Sequence, residues 1–262
     1  MAVGNLRKMS VRLGEEVEYT LNLSSDVGMN ELVGQEIHLE WLGKINCTNC
    51  GKVTKNSFGQ GFCYTCFSTA PESAECIIRP ELCRAHLGEG RDPAWEERNH
   101  NQPHVVYLAA SSAIKVGITR ETQVPTRWID QGASSAIRLA ETPNRYQAGV
   151  VEVALKEFFT DKTHWQKMLK NDIDESIDLV EAKWELEEHL PGDIVDLFSE
   201  NDEIIELNYP VLAYPEKVKS LSFEKTPTVR GRLAGVKGQY LIFDTGEVIN
   251  IRKHTGYHVE IK

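Results

Sequence analysis

Six cysteines and a handful of polar residues in otherwise apolar runs are where this chain of 262 residues carries chemistry. In "CTNCGKVTKNSFGQGFCYTCF", Cys47 and Cys50 form one C-x2-C pair and Cys63 and Cys66 a second, with twelve residues between them. A C-x2-C turn aims two sulfurs at one point, and Gly51 permits the tight backbone that follows the first pair. Two such turns make a closed site of four thiolates, the arrangement of structural zinc, with no ligand position open for catalysis. Asn56, Gly59 and Gly61 suit the hairpin of a zinc ribbon, and an iron–sulfur centre is the alternative. Cys76, Cys83 and His86 follow at C-x6-C-x2-H, a less specific spacing. Isolated Cys and His residues more often pack or sit on the surface. In a segment with little apolar periodicity they read as a second zinc site, with His100 as fourth ligand and His104 as its rival.

The other candidates lie downstream. "VVYLAASSAIKVGITR" (105–120) reads as two apolar strands around a Ser-Ser turn, with Tyr107 and Lys115 as polar intrusions. By default Tyr107 is a core aromatic and Lys115 guards an edge strand. Arg127 follows Pro125 on the first turn of an expected helix, a position that suits either an ordinary surface arginine or a bidentate phosphate contact. Glu152 sits in "RYQAGVVEVALKEFF", where Val151, Leu155 and Phe158 make the buried stripe and Ala148-Gly149 leave space beside the glutamate. Phosphodiester hydrolysis needs a metal on the phosphoryl oxygens, a base for water and cations for developing charge, and these residue types could supply them. Asp161 or Thr163 reads first as the cap of the next helix. No Walker loop, dinucleotide fingerprint or serine elbow is present.

The elements that must position these residues fall into five stretches. Residues 1–45 alternate as β-strands in "VEYTLNL" and "QEIHLEWLGKI". Residues 46–103 are rich in Cys, Gly, Asn and Pro, cannot build a core of their own, and call for metal staples. Residues 104–171 read β-β-α-β-α-α, with a helix near 122–132, a strand near 135–140 and helices over "RYQAGVVEVALKEFF" and "THWQKMLKN". Residues 172–206 look helical around 180–190, with a break at Pro191-Gly192. Residues 207–262 return to strands joined at Lys237-Gly238 and Thr245-Gly246, a pattern that predicts a small SH3-like or OB-like barrel completed by the N-terminal strands. The expected fold class is therefore α+β.

Charge is uneven. The net charge is −10, yet residues 172–206 hold fourteen Asp and Glu against Lys183, a local −13 that leaves +3 for the remainder. The plain reading of the acidic run is a solvated helical face; the functional one is a shield or mimic of a nucleic-acid surface. No apolar run is long enough to cross a membrane, and "MAVGNLRKMSVRLGEE" has no signal-peptide core, so a cytoplasmic protein with reduced cysteines is expected.

With these residues in view, "VVYL…IKVG", Arg127 and Glu152 resemble the GIY-YIG nuclease domain over about residues 104–171. Tyr107 matches its first tyrosine, Gly117 its glycine, Arg127 its helical arginine and Glu152 its metal-binding glutamate. Lys115 stands where the second tyrosine would be, as in a branch of that superfamily with a "KIG" strand. The whole chain, through "KVGITR…PTRWIDQGA…DKTHW" and "GVKGQYLIFDTGEVINIRKHTGY", resembles a prokaryotic family recorded as a domain of unknown function. The nuclease resemblance implies Mg²⁺ or Mn²⁺ on Glu152, charge stabilisation by Arg127, and deprotonation assisted by Tyr107 or water. Lys115 would hold a phosphate oxygen or act as base. Gly117, Arg120, Arg145, Lys162 and His164 would line a DNA or RNA site, with a basic surface around Lys115, Arg120, Arg127, Arg145 and Lys162. The expected function is metal-dependent nucleic-acid processing; the alternatives are a non-catalytic zinc-ribbon adaptor for nucleic acid or protein, and a structural partner in a larger complex.

Overall fold

The computed structural model describes residues 1–158, 165–190, 192 and 194–262, with residue 157 described by its backbone alone. The amino-terminal part runs β1 (Ala2–Asn5), β2 (Ser10–Arg12), β3 (Glu18–Asn22), β4 (Asp26–Gly28), β5 (Glu36–Asn46), β6 (Val53–Thr54) and α1 (Tyr64–Thr69). The middle carries α2 (Pro93–Asn99), β7 (His104–Ala110), β8 (Ile114–Arg120), α3 (Thr126–Asp130), β9 (Ser135–Thr142), α4 (Arg145–Leu155), α5 (Trp165–Leu169), α6 (Leu179–Glu187) and β10 (Ile205–Glu206). The carboxyl-terminal part adds β11 (Lys219–Leu221), β12 (Thr228–Lys237), β13 (Tyr240–Phe243), β14 (Glu247–Asn250) and β15 (Tyr257–Ile261). Two compact units result: Met1–Ser68 with Ile129–Gly132 and Leu207–Lys262, and Thr69–Trp128 with Ala133–Glu206. The boundary at Ser68 puts the two cysteine groups in different units.

In the first unit the chain ends meet, because β1 pairs antiparallel with β15 from Ala2–Ile261 onward. The main sheet runs β1-β15-β5-β12-β13-β14-β11, with β6 added to β5, and β2-β3-β4 form a separate sheet. The turns at Lys237-Gly238 and Thr245-Gly246 fall where the sequence puts them, with Gly238 at φ +62 and Gly246 at φ +80. The expected barrel does not form: the outer strands β1 and β11 are not paired with each other, and the sheet is open. The long strand β12 explains this. Its first half pairs with β5, its second half with β13, and the register breaks between Leu233 and Gly235. One strand shared lengthwise between two neighbours turns a corner instead of closing a small ring.

The second unit is built on the antiparallel sheet β10-β9-β7-β8. Alternation sorts its side chains. Val106, Leu108 and Ala110 of β7, with Ile114, Val116 and Ile118 of β8, face the core formed by Ala148, Val151 and Leu155 of α4 and Leu179 and Leu186 of α6. Tyr107, Lys115 and Gly117 therefore face the other side of the sheet. The helix expected near 122–132 is shorter, starting at Thr126 after a 3-10 turn. Pro125 holds Val124 extended (φ −87, ψ 131), which separates the two pieces.

The acidic segment is part of this core. Leu179, Leu186, Leu190 and Ile194 are buried in it while the carboxylates Glu181, Glu185 and Glu188 stay exposed. Its lone base, Lys183, is 0 % exposed. The ammonium donates to Asp202 Oδ1 at 2.8 Å and to the Asn201 carbonyl at 2.8 Å. Deleting the segment would strip apolar cover from the sheet, so neutralising its exposed glutamates is the cleaner perturbation. Among the described residues, no helix is long and apolar enough to cross a membrane.

Gly149 lets α4 seat against the 3-10 turn Pro80–Leu82: a Cβ there would lie 2.3 Å from Glu81 N and 2.5 Å from Pro80 C. Gly149→Ala gains about 1 kcal/mol of helix propensity. It forces a backbone that cannot rotate aside, at a cost of about 1–3 kcal/mol. We expect a net loss of stability read as a lower denaturant midpoint; an unchanged or raised midpoint would contradict this packing.

Candidate functional site

The two arms of the zinc-ribbon sequence come together. Cys47, Cys50, Cys63 and Cys66 place their sulfurs within 4.8 Å of one another. The first arm is shaped by Gly51 at φ +73 and by Gly51 N–H donating to the Cys47 carbonyl at 2.9 Å. The second opens α1, where Phe67 N–H reaches the Cys63 carbonyl at 2.9 Å. Thr48 N–H to the Gly61 carbonyl, at 2.8 Å, ties the arms together. The Cys50 and Cys63 sulfurs are 3.9 Å apart. That is far beyond a disulfide bond, and it fits the edge of about 3.8 Å that Zn–S bonds of ~2.3 Å give a tetrahedron. All six cysteines are free. Burial opposes charge on Cys47, but the backbone N–H groups of Cys50, Cys63 and Asn49 outweigh it and hold the thiol down at about 6. The backbone thus favours the thiolate on Cys47, whereas Cys66, against a lowering hydrogen bond from Asn49, is pushed up to about 12 by burial and its three cysteine neighbours. This four-cysteine cluster can bind structural zinc.

The second group differs from the sequence reading in one ligand. Cys76, Cys83, Glu96 and His100 bring their donor atoms within 4.8 Å, all four residues buried. His86 is not among them; its ring stacks on Tyr146 at 4.6 Å. Glu96 takes the place expected of His86. Asp92 caps α2 by accepting from Trp95 N at 3.0 Å, and the helix then carries Glu96 and His100 on one face at i and i+4. The signal was present in "DPAWEERNH" as a cap, a proline at the first turn and an acid four residues before a histidine. Reading 46–103 as loop concealed it. His104, the rival ligand, is turned aside: its Nδ1 lies 2.7 Å from the Gln102 carbonyl, and burial pulls its pKa down to about 4.

The nuclease-like residues divide between the two faces of the β7–β8 hairpin. Tyr107 is 1 % exposed and packs on Trp128 at 5.7 Å. Its ring crosses to its register partner Gly117 on edge strand β8, where a Cβ would lie 2.6 Å from the hydroxyl. Gly117 is required by that close approach. Lys115 shares this face, paired with Ala109. Glu152 instead rides on α4, which packs against the opposite face. It is half-buried, and burial raises its pKa. Lys156 and Arg145 pull it back, Glu81 adds to the rise, and Arg127 lowers it, so all four charges act at this carboxylate. Among the described residues Glu81 Oε2 is buried without a hydrogen-bond partner, while its Oε1 accepts from Arg79 Nε at 3.2 Å.

Two of the five residues of the expected basic surface, Arg120 and Arg145, are committed inside the unit. Arg145 donates to the Cys76 carbonyl at 3.0 Å and the Ile77 carbonyl at 2.9 Å, and Arg120 to Asn99 Oδ1 at 2.6 Å. Lys162 and His164, with Asp161 and Thr163, lie outside the described residues.

The raised Glu152 pKa has a measurable sign. A carboxyl whose folded pKa exceeds its unfolded value stabilises the fold below the ordinary carboxyl range and loses that contribution as pH rises through the folded value. Glu152→Gln cannot ionise. The melting temperature of this variant minus that of wild type should climb with pH across that window; a flat difference would show that burial does not act on Glu152.

No curated protein and no solved structure matches the chain. The family model described as "Protein of unknown function (DUF2797)" matches residues 34–259, a span that holds both cysteine groups, the hairpin and Glu152. The chain belongs to that family.

Proposed function

We propose that this protein processes nucleic acid by metal-dependent phosphodiester hydrolysis of the GIY-YIG kind, on a scaffold stapled by zinc. The observation that carries the reading is the setting of Glu152. A half-buried carboxylate lies under the influence of Arg127 and Arg145 and close to the unpartnered Oε2 of Glu81. Hard divalent cations take oxygen ligands and need only one or two carboxylates when substrate and water complete the shell. Glu152 and Glu81 would hold Mg²⁺ or Mn²⁺, which supplies polarisation of the phosphoryl oxygens. Arg127 pairs with the phosphate and stabilises its developing charge. Tyr107 and Lys115 lie on the face of the sheet that α4 does not cover, so activation of the attacking water would fall to the metal, and Lys115 would reach a phosphate oxygen only past the edge strand β8.

The test is cleavage of mixed DNA and RNA substrates with added Mg²⁺ or Mn²⁺ and without either. Products that need the added metal support the reading; no product with either metal and any substrate overturns it. The burial of Tyr107 and the internal bonds of Arg120 and Arg145 favour a second reading, a non-catalytic zinc-ribbon adaptor for nucleic acid or protein. Neutralising Glu181, Glu185 and Glu188 should then tighten binding at low salt and steepen its salt dependence. Binding unchanged by that neutralisation would argue against a shielding role for the acidic face.

A further inference from the structure

We propose that Cys76, Cys83, Glu96 and His100 bind a second zinc ion, and that this metal fixes the wall against which the Glu152 helix packs. The claim is independent of what Glu152 does. His100 Nδ1 lies 3.6 Å from the Cys83 sulfur and 3.9 Å from that of Cys76. Zinc with bonds of ~2.3 Å to sulfur and ~2.0 Å to nitrogen separates such donors by about 3.5 Å. The Glu96 Oε2 to His100 Nδ1 distance, 2.7 Å, is that of a hydrogen bond. Zinc replaces the Nδ1 proton, and the carboxylate retreats by less than about 1 Å to the tetrahedral spacing.

Glu96 also accepts from Arg91 N–H at 3.3 Å and Trp95 packs edge-on to His100 at 5.0 Å, but the apolar surroundings are small. The local apolar core consists of Cys76, Cys83 and Ala85, with Ala74 against it. The chain around them is a series of 3-10 turns from Pro71 to Leu87. Burying a carboxylate, an imidazole and two thiols in so small a core is costly unless they share a cation. Two thiolates, one carboxylate and Zn²⁺ leave one negative charge, which the Arg145 guanidinium on the Cys76 and Ile77 carbonyls balances. His86 belongs to the surface instead, stacked on Tyr146. The loop held by this metal includes the Pro80–Glu81 backbone that Gly149 abuts, so the ion sets the position of α4.

The experiment is zinc content and zinc X-ray absorption on the full chain. Wild type should carry two zinc ions with an average of about three sulfurs per zinc, since a four-cysteine site and a two-cysteine site contribute six sulfurs between them. Cys83→Ser and His100→Ala should each halve the zinc per chain, while His86→Ala keeps both ions. One zinc with about four sulfurs in wild type overturns the proposal. So does a Cys83→Ser protein that retains two, and loss of the second ion in His86→Ala overturns the ligand set. Should Cys83→Ser fail to fold, the wild-type sulfur count decides alone.

Discussion

Glu152→Gln should lower metal-dependent cleavage by about 10³-fold, equal to ~4 kcal/mol of transition-state stabilisation. The exchange keeps the size of the side chain and removes its charge, so α4 keeps its packing through Ala148, Val151 and Leu155. Glu81 and a neutral amide oxygen remain, and they hold the cation more weakly and offset less of its charge than two carboxylates do. Nucleic-acid binding should survive, because the lost interaction belongs to the transition state. Arg127→Ala acts differently: its charge would contact phosphate before and during reaction, so binding and turnover should fall together. Lys115→Tyr places a tyrosine on the same face as Tyr107, and retained activity would show that position 115 serves by its place in the strand. Equal rates for Glu152→Gln and wild type would remove the catalytic role and leave the adaptor.

Stripping zinc from the four-cysteine cluster should have the largest effect on stability. Apparent zinc binding energies of such sites are about 10–16 kcal/mol. Whole domains are stable by only about 5–15 kcal/mol. The remaining contacts of the segment are few and small: Phe62 is buried, Phe58 lies tilted against Phe67 at 6.0 Å and edge-on to Tyr64, Ser57 donates to the Thr255 carbonyl, and the two-residue strand β6 adds to the edge of β5. Cys47→Ser, or a chelator strong enough to compete with thiolates, should abolish hydrogen-exchange protection of the Thr48 amide, which now donates to Gly61. The sheet strands β5, β12 and β15, buried through Leu39, Leu233 and Val259, should keep theirs. Protection of Thr48 unchanged in metal-free protein would mean that the ribbon folds by packing alone.

What the residues determine by themselves is local. The paired C-x2-C spacing needs only two tight turns and Gly51, so the sulfur cluster was legible before any fold. The strands of 104–120, the glycine turns at 238 and 246, and Val151 and Leu155 of the α4 stripe follow from alternation and helical period, whereas Phe158, expected in that stripe, lies past the end of α4 and is exposed. Tertiary structure decided the rest, because it depends on which distant backbones approach. Glu96 replaces His86 once α2 winds its i, i+4 face toward Cys76 and Cys83, a choice that spacing along the chain cannot make. Tyr107 and Glu152 fall on opposite faces because α4 covers the even residues of β7, and sequence order does not say which face a later helix will cover. The sheet of the first unit stays open since β12 divides its hydrogen bonds between β5 and β13, a partition set by strands almost two hundred residues apart in the chain.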